Sequence, residues 1–247
     1  MMASNLGIYS LIIAASVQNV IPFPAKLGGK VPALILVDRD GVVNVDVGAP
    51  GVLSTLQLEL TPGAGRAIGQ LRRAECKIAL ITNQSCVGKG LITEENLVGD
   101  IHGRLQDLLF QDDEDAKFDH IFYCSSLKDS GDYRMKPNPG MIEEAAQMFD
   151  IDPSDAVMIG DALRDLEAAA NAGVPSRILV ETGYGRQIMG GKKAPNEHGA
   201  LELVDGSEGK FDWNEDVENI KPSILPFLYA KNLYSAVQWI LSNTEGS

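Results

Sequence analysis

The sequence predicts an α/β fold, with helices covering both faces of a central, mostly parallel sheet, and three observations carry that prediction. Short apolar runs recur at residues 33–37, 78–81, 120–123, 156–159 and 177–180, and none shows the strict polar alternation of a half-exposed strand. Runs of that kind are strands buried on both faces, as in a parallel sheet. Segments carrying helix signals separate them, and alternation of strand with helix is the pattern of crossover connections rather than hairpins. Finally, 247 residues with 45% hydrophobic side chains suffice for one α/β domain with a buried core and fall short of two of ordinary size.

Residues 1–30 form an N-terminal extension to a domain spanning residues 31–247. The apolar stretch at residues 11–15 has no Lys or Arg before it and is too short to span a bilayer. A loosely docked extension is expected, with organelle targeting left open. After the strand at 33–37, Thr61 is expected to cap the first helix and Pro62 to open it, with its end near Glu75. Behind the strand at 78–81, Thr93 with Glu94 and Glu95 caps a second helix running towards Phe110. Asn138-Pro139 opens a third helix after the strand at 120–123, and residues 163–172, stopped by Gly173, form a fourth. Beyond Gly185 the composition turns polar and glycine-rich through residues 186–221, expected as a mobile insertion. Residues 225–229 and 233–241 read as a last strand and helix, with Pro226 placing that strand at a sheet edge.

The formal charge of −13 argues against a nucleic-acid partner or an anionic membrane surface. A small phosphorylated metabolite is compatible, because local cations or a metal can reverse the potential inside one cleft. Cys76, Cys86 and Cys124 make an odd count with no C-x-x-C pair, which argues against a disulfide framework and a complete zinc site. A reducing, cytoplasmic setting and a monomer or small homo-oligomer are expected.

Chemistry is sought at the carboxyl ends of the strands, where open α/β sheets bind ligands. In Asp38-Arg39-Asp40-Gly41, two carboxylates two residues apart on extended backbone lean to one side, where a divalent cation would keep Asp38 ionised as a nucleophile. Gly41 permits a sharp turn and close approach to a phosphate. A calcium loop starting at Asp38 would need glycine and glutamate where Val43 and Ala49 stand. Thr82-Asn83-Gln84-Ser85 offers a hydroxyl and loop N–H groups to phosphate oxygens. The Lys89 region is not a nucleotide P-loop, since Asn83 occupies the required upstream glycine position. Lys136, followed by Pro137, can present a fixed point charge. Asp161 follows the fourth strand as a hard-oxygen ligand for magnesium, and Asp165 either supports the metal or complements the helix start. Taken singly, these also read as an acidic turn, a polar loop, a solvated lysine and a helix cap.

Taken together and in this order, they resemble the haloacid dehalogenase superfamily of phosphohydrolases over residues 32–185. Asp38-Arg39-Asp40-Gly41-Val42-Val43-Asn44, Thr82-Asn83-Gln84-Ser85 and Lys136-Pro137-Asn138-Pro139-Gly140-Met141 resemble its heptose-bisphosphate phosphatase and histidinol-phosphatase branch. The resemblance implies a three-layer αβα Rossmann-like fold with no large cap domain, Asp38 as nucleophile and Asp40 as general acid and base. It implies Thr82 and Lys136 on the phosphoryl group, with Gly41 and Asn83 beside it, and magnesium on Asp38, the Asp40 carbonyl and Asp161. Lys89 and Arg134 are further substrate-binding candidates, near positions where the family carries basic residues. Relatives often hold zinc in a Cys/His-rich loop before the lysine; this chain keeps Cys124 alone there, so no zinc is expected. A heptose 1,7-bisphosphate is the first choice of substrate. Histidinol phosphate, a polynucleotide 3'-phosphate and a non-catalytic phospho-ligand binder are the alternatives.

Overall fold

The computed structural model describes residues 30–196, 200–206 and 222–244. Strands β1 (Leu34–Val37), β2 (Lys77–Asn83), β3 (His120–Cys124), β4 (Ala156–Gly160), β5 (Ser176–Val180) and β7 (Phe227–Ala230) are parallel. A short β6 (Glu202–Val204) runs antiparallel along β7, and the order across the sheet is β3-β2-β1-β4-β5-β7-β6. From β1 the chain builds outward to β3, then returns to the other side of β1 as β4. That reversal opens a crevice at the carboxyl ends of β1, β2 and β4.

Successive side chains of a strand point to opposite faces, and on β1 both faces are dry. Ile35 and Val37 enter one core, Leu34 and Leu36 the other. This is why the run shows no polar alternation. Helices α1 (Ala64–Arg73), α3 (Gly103–Asp112) and α7 (Leu233–Ser242) cover the first face. Helices α4 (Gly140–Phe149) and α5 (Leu163–Asn171) cover the second, and α2 (Ser85–Gly88) and α6 (Gly185–Ile188) are single turns. The buried stripe of α1, Ala64, Ala67, Ile68 and Leu71, has the i, i+3, i+4, i+7 spacing of one helical face. Leu233, Ala236, Val237 and Ile240 repeat it on α7, which packs beside α1. Each buried Ile, Leu or Val of these stripes contributes about 1.5–3 kcal/mol, and each alanine about 1 kcal/mol or less.

Three elements differ from expectation. Thr61 does not cap α1: its hydroxyl donates to the Val42 carbonyl at 2.6 Å and its N–H to the Val43 carbonyl at 2.9 Å. Buried carbonyls in the turn after β1 claim it, and α1 starts at Ala64 behind Gly63 (φ 79°). Thr93 does cap its helix, accepting from Asn96 N at 3.1 Å, but Asn96–His102 is π-helical before α3 continues to Asp112. The strand after Pro226 is not an edge. β7 pairs on both sides, because Pro226 lies just before it and removes no ladder hydrogen bond.

Within the segment expected as an insertion, the described residues form α6 and the edge strand β6. The rest of that segment and the expectations for residues 1–29 lie outside the described residues. Among the described residues no helix is long and apolar enough to cross a membrane.

Candidate active site

Asp38 is the first residue past β1, Thr82 lies near the end of β2 and Asp161 follows β4, so the switch point brings them to one crevice. The turn after Asp38 is tight: the Arg39 carbonyl accepts from the N–H groups of Val42, Val43 and Asn44 at 3.3, 2.9 and 3.1 Å. Gly41 holds φ 83° there, and a Cβ on it would overlap Asp161 Oδ2. Gly183 (φ 62°), across the crevice, would collide with the same atom. Two glycines thus make room for one carboxylate.

Lys136 and three carboxylates form the buried centre. Lys136 Nζ lies 2.8 Å from Asp38 Oδ1 and 2.7 Å from Asp165 Oδ1, and donates to the Ile81 carbonyl at 2.7 Å. Asn83 fixes its backbone from both sides, accepting from Lys136 N at 3.1 Å and donating to Lys136 O at 3.0 Å. The Asn83 side chain, expected on phosphate, is therefore spent on aiming the lysine. Burial works against the charge of Lys136, yet Asp165 and Asp38 outweigh it and raise its pKa. Asp165 pairs with Lys136 through one oxygen and, through the other, accepts from Ala162 N at 3.0 Å at the start of α5.

Carboxylate oxygens of Asp38, Asp161 and Asp165 lie within 4.8 Å of one another, all buried. Burial, with Asp165 and Asp38 adding repulsion, pushes Asp161 up to about 8. Asp38 rises to about 6, also chiefly by burial, with Lys136 opposing. Asp161 Oδ2 accepts from Tyr184 N at 3.0 Å, while Oδ1 is buried with no hydrogen-bond partner. A hard divalent cation fits this donor set, since it would satisfy the orphan oxygen and neutralise crowded carboxylates.

Asp40 sits in a different environment. Arg39 Nη2 donates to Asp40 Oδ2 at 2.9 Å and to Oδ1 at 3.1 Å, and Asn44 Nδ2 reaches Oδ1 at 3.0 Å. Gln84 Nε2 bridges Asp40 Oδ2 at 3.0 Å and Thr82 Oγ1 at 2.9 Å. Burial alone would raise Asp40, but Arg39, Asn44 and Gln84 outweigh it and hold the carboxyl below its usual range. Two carboxylates two residues apart therefore differ in proton affinity by environment alone.

Beside this centre a cleft of about 730 Å³ opens, lined among others by Asn83, Lys89, Lys128, Met135, Lys136, Arg164 and Tyr184. Lys89 faces it. Arg134 does not: its Nε lies 2.9 Å from Glu144 on α4, so the charge is used on the outer surface. The loop from Cys124 to Lys136 is tied by Asp132, which accepts from Ser126 Oγ, from Arg134 N at 2.8 Å and from Cys124 Sγ at 3.5 Å. Gln84, Arg164 and Tyr184 were not singled out by sequence reading. Gln84 carried a signal, lying inside the Thr82-Asn83-Gln84-Ser85 motif, whereas Tyr184 acts through its backbone N–H.

Residues 35–173 match the family model of haloacid dehalogenase-like hydrolases. The chain is 40% identical over 156 residues to a D-glycero-beta-D-manno-heptose-1,7-bisphosphate 7-phosphatase of Bordetella bronchiseptica, covering 63% of this chain and 84% of that one. It is 38% identical over 170 residues to a D-glycero-D-manno-heptose-1,7-bisphosphate 7-phosphatase of Thermosynechococcus vestitus, covering 65% and 84%. A crystal structure of the D,D-heptose 1,7-bisphosphate phosphatase from B. bronchiseptica, complexed with magnesium and phosphate, superposes with a TM-score of 0.67 and 31% identity over 85% of this chain and 98% of that one.

Proposed function

This chain belongs to the haloacid dehalogenase-like hydrolases, and we propose that it is a magnesium-dependent phosphatase removing the 7-phosphate of D-glycero-D-manno-heptose 1,7-bisphosphate. The observation that carries the reading is the buried cluster of Asp38, Asp161 and Asp165 around Lys136, at the carboxyl end of the central strand. The likeness to the Bordetella phosphatase in sequence and over nearly its whole structure supports the substrate.

Asp38 attacks phosphorus, the bond from phosphorus to the ester oxygen breaks, and Asp40 gives its proton to that leaving oxygen. Water then attacks the aspartyl-phosphate, its proton passes to Asp40, and the bond to Asp38 breaks to release inorganic phosphate. Asp40 is ionised in the free protein. As the phosphate dianion arrives beside it its proton affinity rises, it takes a proton from solvent, gives that proton to the leaving oxygen, and is left ionised for the second half. Thr82 and Lys136 bind the transferring oxygens, and Lys89 and Lys128 line the cleft towards the rest of the substrate. Asp38, Asp161 and the Asp40 carbonyl would hold magnesium, with Asp165 supporting them; when bound, it neutralises phosphoryl charge and keeps Asp38 ionised. We place the protein in the cytoplasm, as a monomer or small homo-oligomer.

Phosphate release is to be measured from the heptose bisphosphate, histidinol phosphate and 3'-phosphorylated DNA, with and without magnesium. Turnover is expected to be highest on the bisphosphate and to need the metal. Asp38→Asn should lose about 10³-fold or more in kcat; near-normal rates in that variant would sink the covalent mechanism.

A further inference from the structure

We propose that His102 is a positioning residue for Asp40: by accepting a hydrogen bond from Arg39 behind the site, it fixes the guanidinium that holds the Asp40 carboxylate. The inference rests on Asp40 being the general acid and base of the proposed reaction.

Arg39 is fully buried, at 0% exposure, and its fork is divided between two partners. Nε and Nη2 face Asp40, at 3.3 Å to Oδ1 and 2.9 Å to Oδ2, while Nη1 lies 3.3 Å from His102 Nε2. A guanidinium has no lone pair to offer, so Nε2 is the acceptor and the ring proton sits on Nδ1. His102 is itself only 4% exposed, and the Tyr123 ring meets it edge-on with centroids 5.9 Å apart. The histidine closes the π-helical stretch Asn96–His102, a distortion that recurs at functional sites.

A chain of fixed groups results. His102 anchors Arg39, Arg39 grips Asp40, and Gln84 ties Asp40 to Thr82. An unanchored guanidinium on a long, flexible stem would leave Asp40 held by Asn44 and Gln84 alone. General acid catalysis depends on placing the carboxyl within hydrogen-bond reach of the leaving oxygen. A histidine that merely filled space would have no selective link to that step.

The test exploits the leaving group. An alkoxide needs a proton as it departs, whereas p-nitrophenolate is stable as an anion, and kcat/KM covers binding and the first phosphoryl transfer but not hydrolysis of the aspartyl-phosphate. His102→Ala is expected to lower kcat/KM about tenfold on the heptose bisphosphate or another alkyl phosphate, and less than about threefold on p-nitrophenyl phosphate. His102→Gln, whose amide oxygen can accept from Arg39, should recover most of the alkyl loss. Equal losses on both esters, no loss on the alkyl ester, or a Gln variant no better than Ala would overturn the proposal. The ratio of the two values does not depend on how much of a preparation is folded. Should His102→Ala yield no folded protein, His102→Leu, which keeps the buried volume, takes its place with the same outcomes. Asp38→Asn, assayed alongside, separates the two levels: near-normal activity in it refutes the covalent mechanism in which Asp40 is general acid and base, and this inference with it, whereas a changed ester ratio concerns His102 only.

Discussion

Lys136 is the residue on which the centre balances, since one ammonium compensates two buried carboxylates, Asp38 and Asp165, within 2.8 Å. Removing one partner of such a pair leaves an uncompensated charge in a dry site. Lys136→Met should therefore destabilise the metal-free protein by about 3–5 kcal/mol, with magnesium restoring part of the loss. Urea unfolding of both proteins, with and without the metal, checks this; a loss below about 1 kcal/mol would show that the carboxylates are solvated or protonated instead. Lys136 was legible from the sequence because Pro137 and the helix start behind it mark a fixed turn. Arg39 and His102 were not singled out, for a physical reason. Their importance lies in contacts such as Arg39 to His102, 63 residues apart, which only the packing of the π-helical stretch against the β1 exit creates. Arg134 was ambiguous because a basic residue near a motif reads the same whether it faces the cleft or Glu144.

Among the elements, the turn after β1 decides whether Asp38 and Asp161 meet. Two fixings hold it: the Thr61 hydroxyl on the Val42 carbonyl, and the space left by Gly41 and Gly183 for Asp161. Thr61→Val strands a buried carbonyl and should cost about 1–3 kcal/mol in thermal or urea unfolding, without an equal fall in kcat. Gly183→Ala acts differently. Its φ of 62° and the overlap of a new Cβ with Asp161 Oδ2 should displace that carboxylate and cost about 1 kcal/mol or more from the left-handed backbone alone. The decisive sign is weaker magnesium binding, seen as a higher metal concentration for half-maximal activity or by calorimetry. An unchanged metal affinity would show that Asp161 has another place to go. The strands were readable because burial on both faces leaves an apolar run with no competing interpretation. Caps and edges were less so: Thr61 satisfies the local pattern of a helix cap, but the carbonyls of Val42 and Val43, nearly twenty residues away, hold it more strongly.

At the scale of the whole molecule, the carboxylate cluster makes stability depend on pH and metal together. Asp161 is pushed up to about 8 from 3.8, and Asp38 to about 6. Between those limits the folded protein retains protons that the unfolded chain has released, so its stability falls as pH rises. His102 runs the other way, because burial lowers it to about 3 from 6.5 and the unfolded chain binds the extra proton in that range. Its contribution to stability therefore increases up to pH 6.5 and is complete above it. The useful window is pH 6.5 to 8, where the proton left on His102 in the unfolded chain is at most half occupied and is outweighed by the one that Asp161 still holds in the fold. Without magnesium, Tm should decline across that window. Magnesium binds the ionised carboxylates and displaces the proton, so its stabilisation should be larger at pH 8 than at pH 6.5. Proton release on adding magnesium to weakly buffered protein near pH 7 should accompany it. Differential scanning calorimetry at the two pH values, with and without the metal, measures the gap, and Asp161→Asn should flatten both the decline and the difference. A magnesium shift of equal size at both pH values, with no proton released, would mean that Asp161 is already ionised in the metal-free fold.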